Sequence, residues 1–373
     1  MKAVEIAFWV SAGLIVYTHA GYPLLLAGLA RLRRRPLWRA AELPRVSLVI
    51  AAHDEREVIE ERVRNALALD YPPDRLEVIV ASDGSTDGTA EVAVAAAGGD
   101  SRVRVMDLDR RGKVRAQDAA VDTASGEVLA FSDANALWEP GALQALVRPF
   151  SDTGVGYVCG CLSYLSPDGS NQEGVYWRYE NAVRALESRL ASVTAGNGAI
   201  YAVRRGVYLR LDPRTSHDLA FPFNLVKNGW RAVYEPAAQA AERPVATLEN
   251  EFRRKRRMMS HAWPAVLGGG LLDPRGYGPL YVLEIYSHRG LRYATPFLHV
   301  IAFGTNVALL GHGTVYAVTF GAQMALLAGA LIGRPRILAL CRYYVLMTAS
   351  LAVGLWDFAR RGTPATWDRE GVR

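Results

Sequence analysis

The sequence predicts an α/β domain with a largely parallel β-sheet, flanked at both ends by helices long enough to cross a membrane. Short apolar segments alternate with amphipathic segments between residues 44 and 250, which is typical of strands and helices that follow each other in a parallel sheet. Residues 4–30 carry no charge beyond Glu5, and long apolar segments return after residue 294. These two patterns divide the chain into an α/β domain and membrane segments.

The N-terminal segment, residues 1–35, is expected to be a membrane anchor. Its apolar stretch is long enough to span the hydrocarbon core, and it lacks the basic start and short apolar run of a cleaved signal peptide. Arginines follow at positions 31, 33, 34 and 35. The positive-inside rule places them, and the domain after them, in the cytoplasm.

The domain at 44–250 is expected to have a Rossmann-like arrangement. Four segments that are apolar on both faces predict strands at 46–52, 76–82, 103–107 and 128–132. Helical segments between them are predicted at 57–69, 89–97 and 113–123. Ligands in such folds bind beyond the carboxyl ends of the strands.

The C-terminal third is expected to return to the membrane. Basic amphipathic segments at 251–294 suit a membrane surface. Apolar spans near 295–312, 314–332 and 338–358 predict transmembrane helices within 295–360, with a basic turn at 333–336 on the cytoplasmic side. Four spans would place the tail, 361–373, outside, whereas arginines at 360, 361, 369 and 373 favour the inside, so one span is open to an interfacial reading.

Charge and cysteine content narrow the class of partner. The formal net charge is +6, and the basic clusters border apolar segments, which favours a membrane surface or a phosphorylated substrate over nucleic acid. The three cysteines form no metal-binding set with histidines and are compatible with a reducing compartment.

Acidic side chains close the first two predicted strands. Glu55 follows the first strand in the sequence His53-Asp54-Glu55, and Asp83 ends the second. A carboxylate at this edge of the sheet can accept a hydrogen bond from a base or a ribose. Taken alone, the acids after the first strand are better explained by helix initiation, and Asp83 is explained equally well by turn formation.

Charged groups also follow the third and fourth strands. Arg110, Arg111 and Lys113 surround Gly112, and cations at a glycine turn suit a diphosphate. Asp133 ends the fourth strand, and Asn135 would point the same way on an extended chain, so the two side chains are candidate ligands of a hard divalent cation. A solvated basic turn and a turn-forming Asp-Ala-Asn remain the simpler readings of each motif alone.

The four motifs in this order are much more specific than any one of them. In residues 46–55, 81–89, 112–120 and 131–135 the chain resembles the family 2 glycosyltransferases, over about residues 44–260. The resemblance implies the GT-A fold, a nucleotide-diphosphate sugar donor, for which we expect a UDP-sugar, and Mn²⁺ or Mg²⁺. By position, Glu55 and Asp83 would contact the nucleoside. Lys113 and Asp133 would bind the diphosphate side, Asp133 together with Asn135 at the metal.

Asn135 departs from the family's aspartate-any-aspartate pattern. Its amide oxygen can ligate a metal but adds no charge, so a lower metal affinity is expected.

The resemblance extends to the acceptor side. Residues 196–204 look like the family's glycine-rich acceptor loop, which makes Gly196 and Asn197 acceptor-side residues. The family then has an acidic pair whose second acid is the base; Asp218 keeps that position and His217 replaces the first acid. Asp218 would take the proton of the acceptor hydroxyl in an inverting transfer. The alternative for Asp218 is a helix N-cap. His217 is a second candidate base, but it is expected rather to tune or orient Asp218.

A basic segment at 253–257 occupies the place of the Gln-any-any-Arg-Trp motif of processive members. Arg257 alone survives from that motif and can neutralise the diphosphate, while the other cations suit anionic lipid. The missing Gln and Trp argue against processive polymerisation.

The sequence therefore predicts a multi-pass inner-membrane glycosyltransferase that acts on a lipid-linked or growing saccharide, in the synthesis of cell-surface polysaccharide or glycolipid. Asn135 motivates an alternative, a catalytically weak subunit that binds sugar nucleotides within a polysaccharide assembly. A dinucleotide-dependent oxidoreductase is disfavoured because no Gly-x-Gly-x-x-Gly follows the first strand.

Overall fold

A computed structural model describes residues 1–32, 42–164, 172–242, 248–333 and 336–364. Several sequence predictions fall outside these residues: the arginines at 33–35, the centre of the basic turn at 334–335, the end of the domain at 243–247, and the tail from 365 onward.

One eight-stranded sheet forms the centre of the domain, in the strand order β3-β2-β1-β4-β7-β6-β8-β5. Its strands are β1 (Val46–Ala52), β2 (Leu76–Asp83), β3 (Val103–Leu108), β4 (Val128–Asp133), β5 (Ala136–Trp138), β6 (Val155–Tyr164), β7 (Tyr201–Arg204) and β8 (Arg231–Glu242). The first four strands are parallel to one another. The other half is mixed, since β7 runs antiparallel to β4 and β6, and β5 antiparallel to β8.

Eight helices belong to the domain and to the segment that follows it, within the described residues. They are α3 (Arg56–Leu67), α4 (Thr89–Ala97), α5 (Lys113–Thr123), α6 (Ala142–Val147), α7 (Gln172–Leu190), α8 (His217–Lys227), α9 (Leu248–Leu267) and α10 (Pro279–Glu284). The strands β1 to β4 and the helices α3 to α5 begin and end within two residues of the predicted positions. Apolar segments and glycine turns are strong signals in this half of the chain, which explains the agreement.

The sheet is buried on both faces. Leu48 and Val80 pack with Ile59 of α3 on one face, while Val49 and Phe131 belong to the core on the other. Strands covered on both faces need continuous apolar runs, as the sequence of β1 has.

Helices at both ends of the chain have the length and composition of membrane spans. They are α1 (Lys2–Val16) continued through a π-helical turn by α2 (Tyr22–Leu32), α12 (Thr314–Ile332), and α13 (Arg336–Arg361). Residues 2–32, 314–332 and 337–361 qualify as candidate spans. Leu24, Val300 and Leu331 expose most of their apolar side chains, which suits a lipid environment.

The transmembrane span predicted near 295–312 stays a prediction. The segment is helical as α11 (Leu291–Leu309) and packs along α1, but it does not qualify as a candidate span. Arg292, His299 and Asn306 lower its hydropathy.

Candidate active site

The carboxyl ends of the parallel strands meet at one edge of the sheet. Ala51 of β1 lies opposite Ala81 of β2 and opposite Asp133 of β4. The loops that follow β1, β2 and β4 are therefore neighbours, and the predicted donor-site residues lie on them or close to them.

The loop after β1 is tied to the loop after β2. Asp54 has a left-handed backbone with φ 52°, which is uncommon for a residue with a side chain, and its carboxylate accepts the Thr86 N–H at 2.8 Å. The Glu55 N–H donates to the hydroxyl of Thr89 at 2.8 Å. Glu55 is the N-cap residue of α3, but its side chain makes no capping bond, so helix capping does not account for its carboxylate.

Asp83 is fully buried and holds the basic turn in place. Its carboxylate accepts the Arg111 N–H at 2.7 Å and the Gly112 N–H at 2.9 Å. Gly112 has φ 95°, which a glycine adopts without strain. Asp83 thus positions the turn that carries Lys113, a role that the sequence did not indicate. A contact of Asp83 with a nucleoside remains a prediction.

Lys113 and Asp133 form an ion pair between the start of α5 and the end of β4. Burial lowers the pKa of Lys113, but the charges of Asp133, Asp218 and Glu242 outweigh burial and raise the pKa above its usual value. A Cβ atom on Gly198 would lie 3.0 Å from Asp133 Oδ2 and 3.4 Å from Lys113 Nζ. The glycine-rich loop therefore leaves open the space beside this ion pair.

Asn135 is exposed, and the backbone at Ala134 and Asn135 forms a turn between β4 and β5. The expectation of an extended chain from Asp133 to Asn135 is therefore wrong, because the strand ends at Asp133. Among the described residues, no three histidine, cysteine or acidic side chains cluster tightly enough to hold a metal ion by themselves. A half-exposed carboxylate and an exposed amide fit an ion whose remaining ligands are phosphate oxygens and water, as Mg²⁺ prefers.

Asp218 lies in the first turn of α8. The N-cap of this helix is Ser216, so the alternative of Asp218 as the N-cap is wrong. Its side chain is half-buried, and no hydrogen bond to its carboxylate is found within the described part of the chain. Its backbone carbonyl accepts the Gly196 N–H at 2.7 Å, which joins the predicted acceptor loop to the start of α8.

His217 points into an aromatic cluster. Its Nδ1 lies 2.9 Å from the Tyr201 hydroxyl, and its ring contacts Phe221 edge-on at 4.7 Å between centroids. Burial, followed by the charge of Lys113, lowers the pKa of His217 to about 3. A neutral imidazole of such low basicity is a poor proton acceptor, which leaves Asp218 as the better base of the pair.

Buried contacts fix the predicted acceptor loop, residues 196–204, to the rest of the domain. Asn197 is buried and donates to the Gly160 carbonyl at 2.8 Å, while its amide oxygen accepts the Ile200 N–H at 2.9 Å. A Cβ atom on Gly196 would lie 2.0 Å from the Tyr157 hydroxyl, so only glycine fits there. The side chain of Asn197 thus fixes the loop, and contact of the loop with an acceptor remains a prediction.

Arg257 lies on the exposed side of α9. On the same helix, the Arg254 guanidinium lies 5.9 Å from the centroid of the Tyr164 ring, at the end of β6. Tyr164 pairs in register with Glu242, and Glu242 pairs with Ala136, next to Asn135. Arg254 thus lies toward the edge of the sheet that carries the predicted donor-site residues. The assignment of Arg257 to the diphosphate stays a prediction.

Glu242 is a further candidate site residue that the sequence did not reveal. It closes β8, is buried, and adds a negative charge near Lys113. The available signal was the same as for Asp83 and Asp133, an acid at a strand end, but no glycine turn marks it.

The sheet order, the acids at the strand ends and the glycine-rich loop beside them define a glycosyltransferase domain of the GT-A fold. Residues 47–208 match the family model described as glycosyl transferase family 2. Residues 47–208 are thus a family 2 glycosyltransferase domain.

Similar proteins agree with this assignment. Glycosyltransferase AglE of Haloferax volcanii is 29% identical over 140 residues, which is 37% of this chain and 46% of AglE. Poly-beta-1,6-N-acetyl-D-glucosamine synthase of Staphylococcus aureus is 25% identical over 215 residues, 56% of this chain and 52% of the synthase. The chain thus spans about half the length of these curated relatives.

A solved structure shares the fold over nearly the whole chain. Mannosyltransferase PcManGT from Pyrobaculum calidifontis, in complex with GDP-Man and Mn²⁺, superposes with a TM-score of 0.72 at 23% identity. The superposition covers 95% of this chain and 99% of that structure, which includes the helices at both ends.

Proposed function

We propose that the chain transfers a sugar, with inversion, from a nucleotide-diphosphate sugar to a lipid-linked or growing saccharide. The observation that carries the proposal is the position of Lys113. It pairs with Asp133, and the negative charge of Asp218 also acts on it. Lys113, which would bind the donor phosphates, and Asp218, the candidate base, are therefore close enough for their charges to interact, and a direct transfer requires such proximity.

The donor would lie along the carboxyl edge of the sheet. Glu55 and Asp83 would contact the nucleoside, and Lys113 and Arg257 would neutralise the diphosphate. We expect a UDP-sugar, and the GDP-Man bound by the mannosyltransferase makes GDP-sugars the first alternative to test.

Asp133 and Asn135 would hold a divalent cation together with the donor phosphates, and this ion would stabilise the negative charge of the leaving nucleotide. Mn²⁺ in the mannosyltransferase structure supports a cation of this class.

Asp218 would accept the proton of the acceptor hydroxyl. As that oxygen bonds to the anomeric carbon, the bond from this carbon to the phosphate oxygen breaks, and the nucleoside diphosphate leaves with the electron pair. Gly196 holds the backbone of Asp218, so the acceptor loop and the base keep a fixed relation.

We further propose that the chain is a multi-pass protein of the inner membrane with its domain in the cytoplasm. The three candidate spans and Arg31 at the end of the first support this. Carbonate washing of membranes tests it: the protein should stay in the pellet, and release into the supernatant would contradict it.

The alternative of a catalytically weak binding subunit is favoured by Asn135. Incubation of the detergent-solubilised protein with a panel of UDP- and GDP-sugars, with Mn²⁺ or with excess chelator, separates the two. Metal-dependent transfer or slow hydrolysis of one donor supports the enzyme. Donor binding without any turnover supports the subunit.

A further inference from the structure

Buried polar side chains cluster where the N-terminal anchor, α7 and the segment before α11 meet. We call them the anchor cluster. Its members are Tyr22, Glu180, Glu187, Thr194, His288, Arg289 and Arg292. All are at least nine-tenths buried except Arg292, which is half-buried. Such a density of buried charge needs an explanation, because each charge is costly to remove from water.

The two acids of the anchor cluster are bound by neighbours other than Arg289. Glu187 accepts from the Tyr22 hydroxyl at 2.8 Å and pairs with His288 Nδ1 at 2.6 Å. It also accepts the Thr194 N–H at 3.2 Å. Glu180 pairs with Arg292.

Arg289 is left with a neutral partner. Its Nε donates to the Thr194 hydroxyl at 3.0 Å, and its buried Nη2 has no hydrogen-bond partner within the described residues. The negative charge of Glu187 interacts with both Arg289 and His288, so it is not a counter-charge for Arg289 alone. Burial, followed by the charge of Glu187, raises the pKa of the neighbouring Glu284 well above its usual value, which disfavours the charged form of this acid. A guanidinium with an unused donor and a shared counter-charge is a candidate to bind an anion that reaches it.

The anchor cluster adjoins the acceptor side of the candidate active site. Thr194 lies two residues before Gly196, whose N–H binds the Asp218 carbonyl at 2.7 Å. The charges of both Asp218 and Arg289 act on the hydroxyl group of Tyr293, which links the two regions. Tyr22 comes from a candidate membrane span, so the cluster also touches the part of the chain that faces lipid.

We propose that Arg289 binds the anionic phosphate that links a membrane lipid to the saccharide it carries, and so holds the acceptor with its sugar toward Asp218. This inference rests on the proposed function and specifies its acceptor. A phosphate fits the fork of a guanidinium, and the lipid chain would follow the helices of the anchor.

The test uses the full chain in detergent micelles, with dodecyl phosphate as the probe and dodecanol and inorganic phosphate as comparisons. Affinity is measured by titration calorimetry and by the shift of the melting temperature. Wild type should bind dodecyl phosphate at least tenfold more tightly than either comparison. Arg289→Gln should lose at least tenfold of that affinity, and Arg289→Lys should recover part of it. The exposed Arg275→Gln is the matched control and should bind as wild type does.

Equal affinity of wild type for dodecyl phosphate and dodecanol overturns the proposal, even if Arg289→Gln fails to fold. Equal affinity for inorganic phosphate overturns the assignment to a lipid. If the protein transfers sugar but Arg289→Gln leaves its affinity for dodecyl phosphate unchanged, this inference alone is refuted. Binding that depends on Arg289 in a protein that transfers no sugar refutes the proposed function alone.

Discussion

The Lys113 ammonium pairs directly with the Asp133 carboxylate, beside the space that Gly198 leaves open. Asp218 and Glu242 add negative charge around the same ammonium. Lys113 thus lies beside the carboxylate that a divalent cation would use. A bound diphosphate would offer Lys113 a second anionic partner and release Asp133 toward the cation.

Lys113→Gln should weaken donor binding, because the substitution removes one charge-assisted hydrogen bond to the diphosphate. Such a bond is worth about 1.5–3 kcal/mol, or roughly a tenfold to hundredfold rise in the donor dissociation constant. Titration calorimetry with nucleoside diphosphates measures this constant. Arg210→Gln, in an exposed pair with Asp122, is the control. An unchanged constant in Lys113→Gln would remove Lys113 from the donor site.

Asn135→Asp should lower the metal concentration that gives half-maximal transfer, because a second carboxylate adds charge to the ligand set. The measurement is a titration of Mn²⁺ or Mg²⁺ after chelation. Asn228→Asp makes the same change at an exposed residue beyond α8 and should leave the requirement as it is. The same metal requirement in both variants would show that Asn135 is no ligand.

His217 should destabilise the protein as the pH falls below about 6.5. Its folded-state pKa is about 3, below the unfolded value of 6.5, so between these values the unfolded state binds more protons. Stability should therefore fall with decreasing pH by roughly 1.4 kcal/mol per pH unit in this window. The melting temperature at pH 7.5 and at pH 5.0, compared between wild type and His217→Gln, measures the effect. A variant with the same pH dependence as wild type would mean that His217 is not held neutral.

The sequence was informative where short-range signals are strong. Apolar runs closed by an acid and a glycine turn located β1, β2 and β4, and with them Asp83 and Asp133. It was less informative where the partner of a side chain lies far along the chain. The backbone amides that donate to the Asp83 carboxylate belong to a turn 28 residues later in the chain. Tyr22 donates a hydrogen bond to Glu187, which is 165 residues away in sequence.

Two site features could not be predicted for a related reason. The turn at Asn135 forms because β5 pairs with β8, and that pairing joins residues about a hundred positions apart. Glu242 is identified as a candidate site residue only from the structure, in which β8 places it beside Ala136 and close to Lys113. Single-sequence patterns do not record contacts of this range.

The central claim, that Asp218 is the base of a sugar transfer, is tested most directly by Asp218→Asn. Folding should survive, because Ser216 is the N-cap and the lost charge near the helix start is worth only about 0.3–1 kcal/mol. Transfer should fall by roughly a hundredfold to ten-thousandfold in kcat, with the donor dissociation constant unchanged. Asp212→Asn, in an exposed pair with Arg214, is the matched control and should transfer as wild type does. Near-normal transfer by Asp218→Asn, with His217→Ala inactive, would contradict the account.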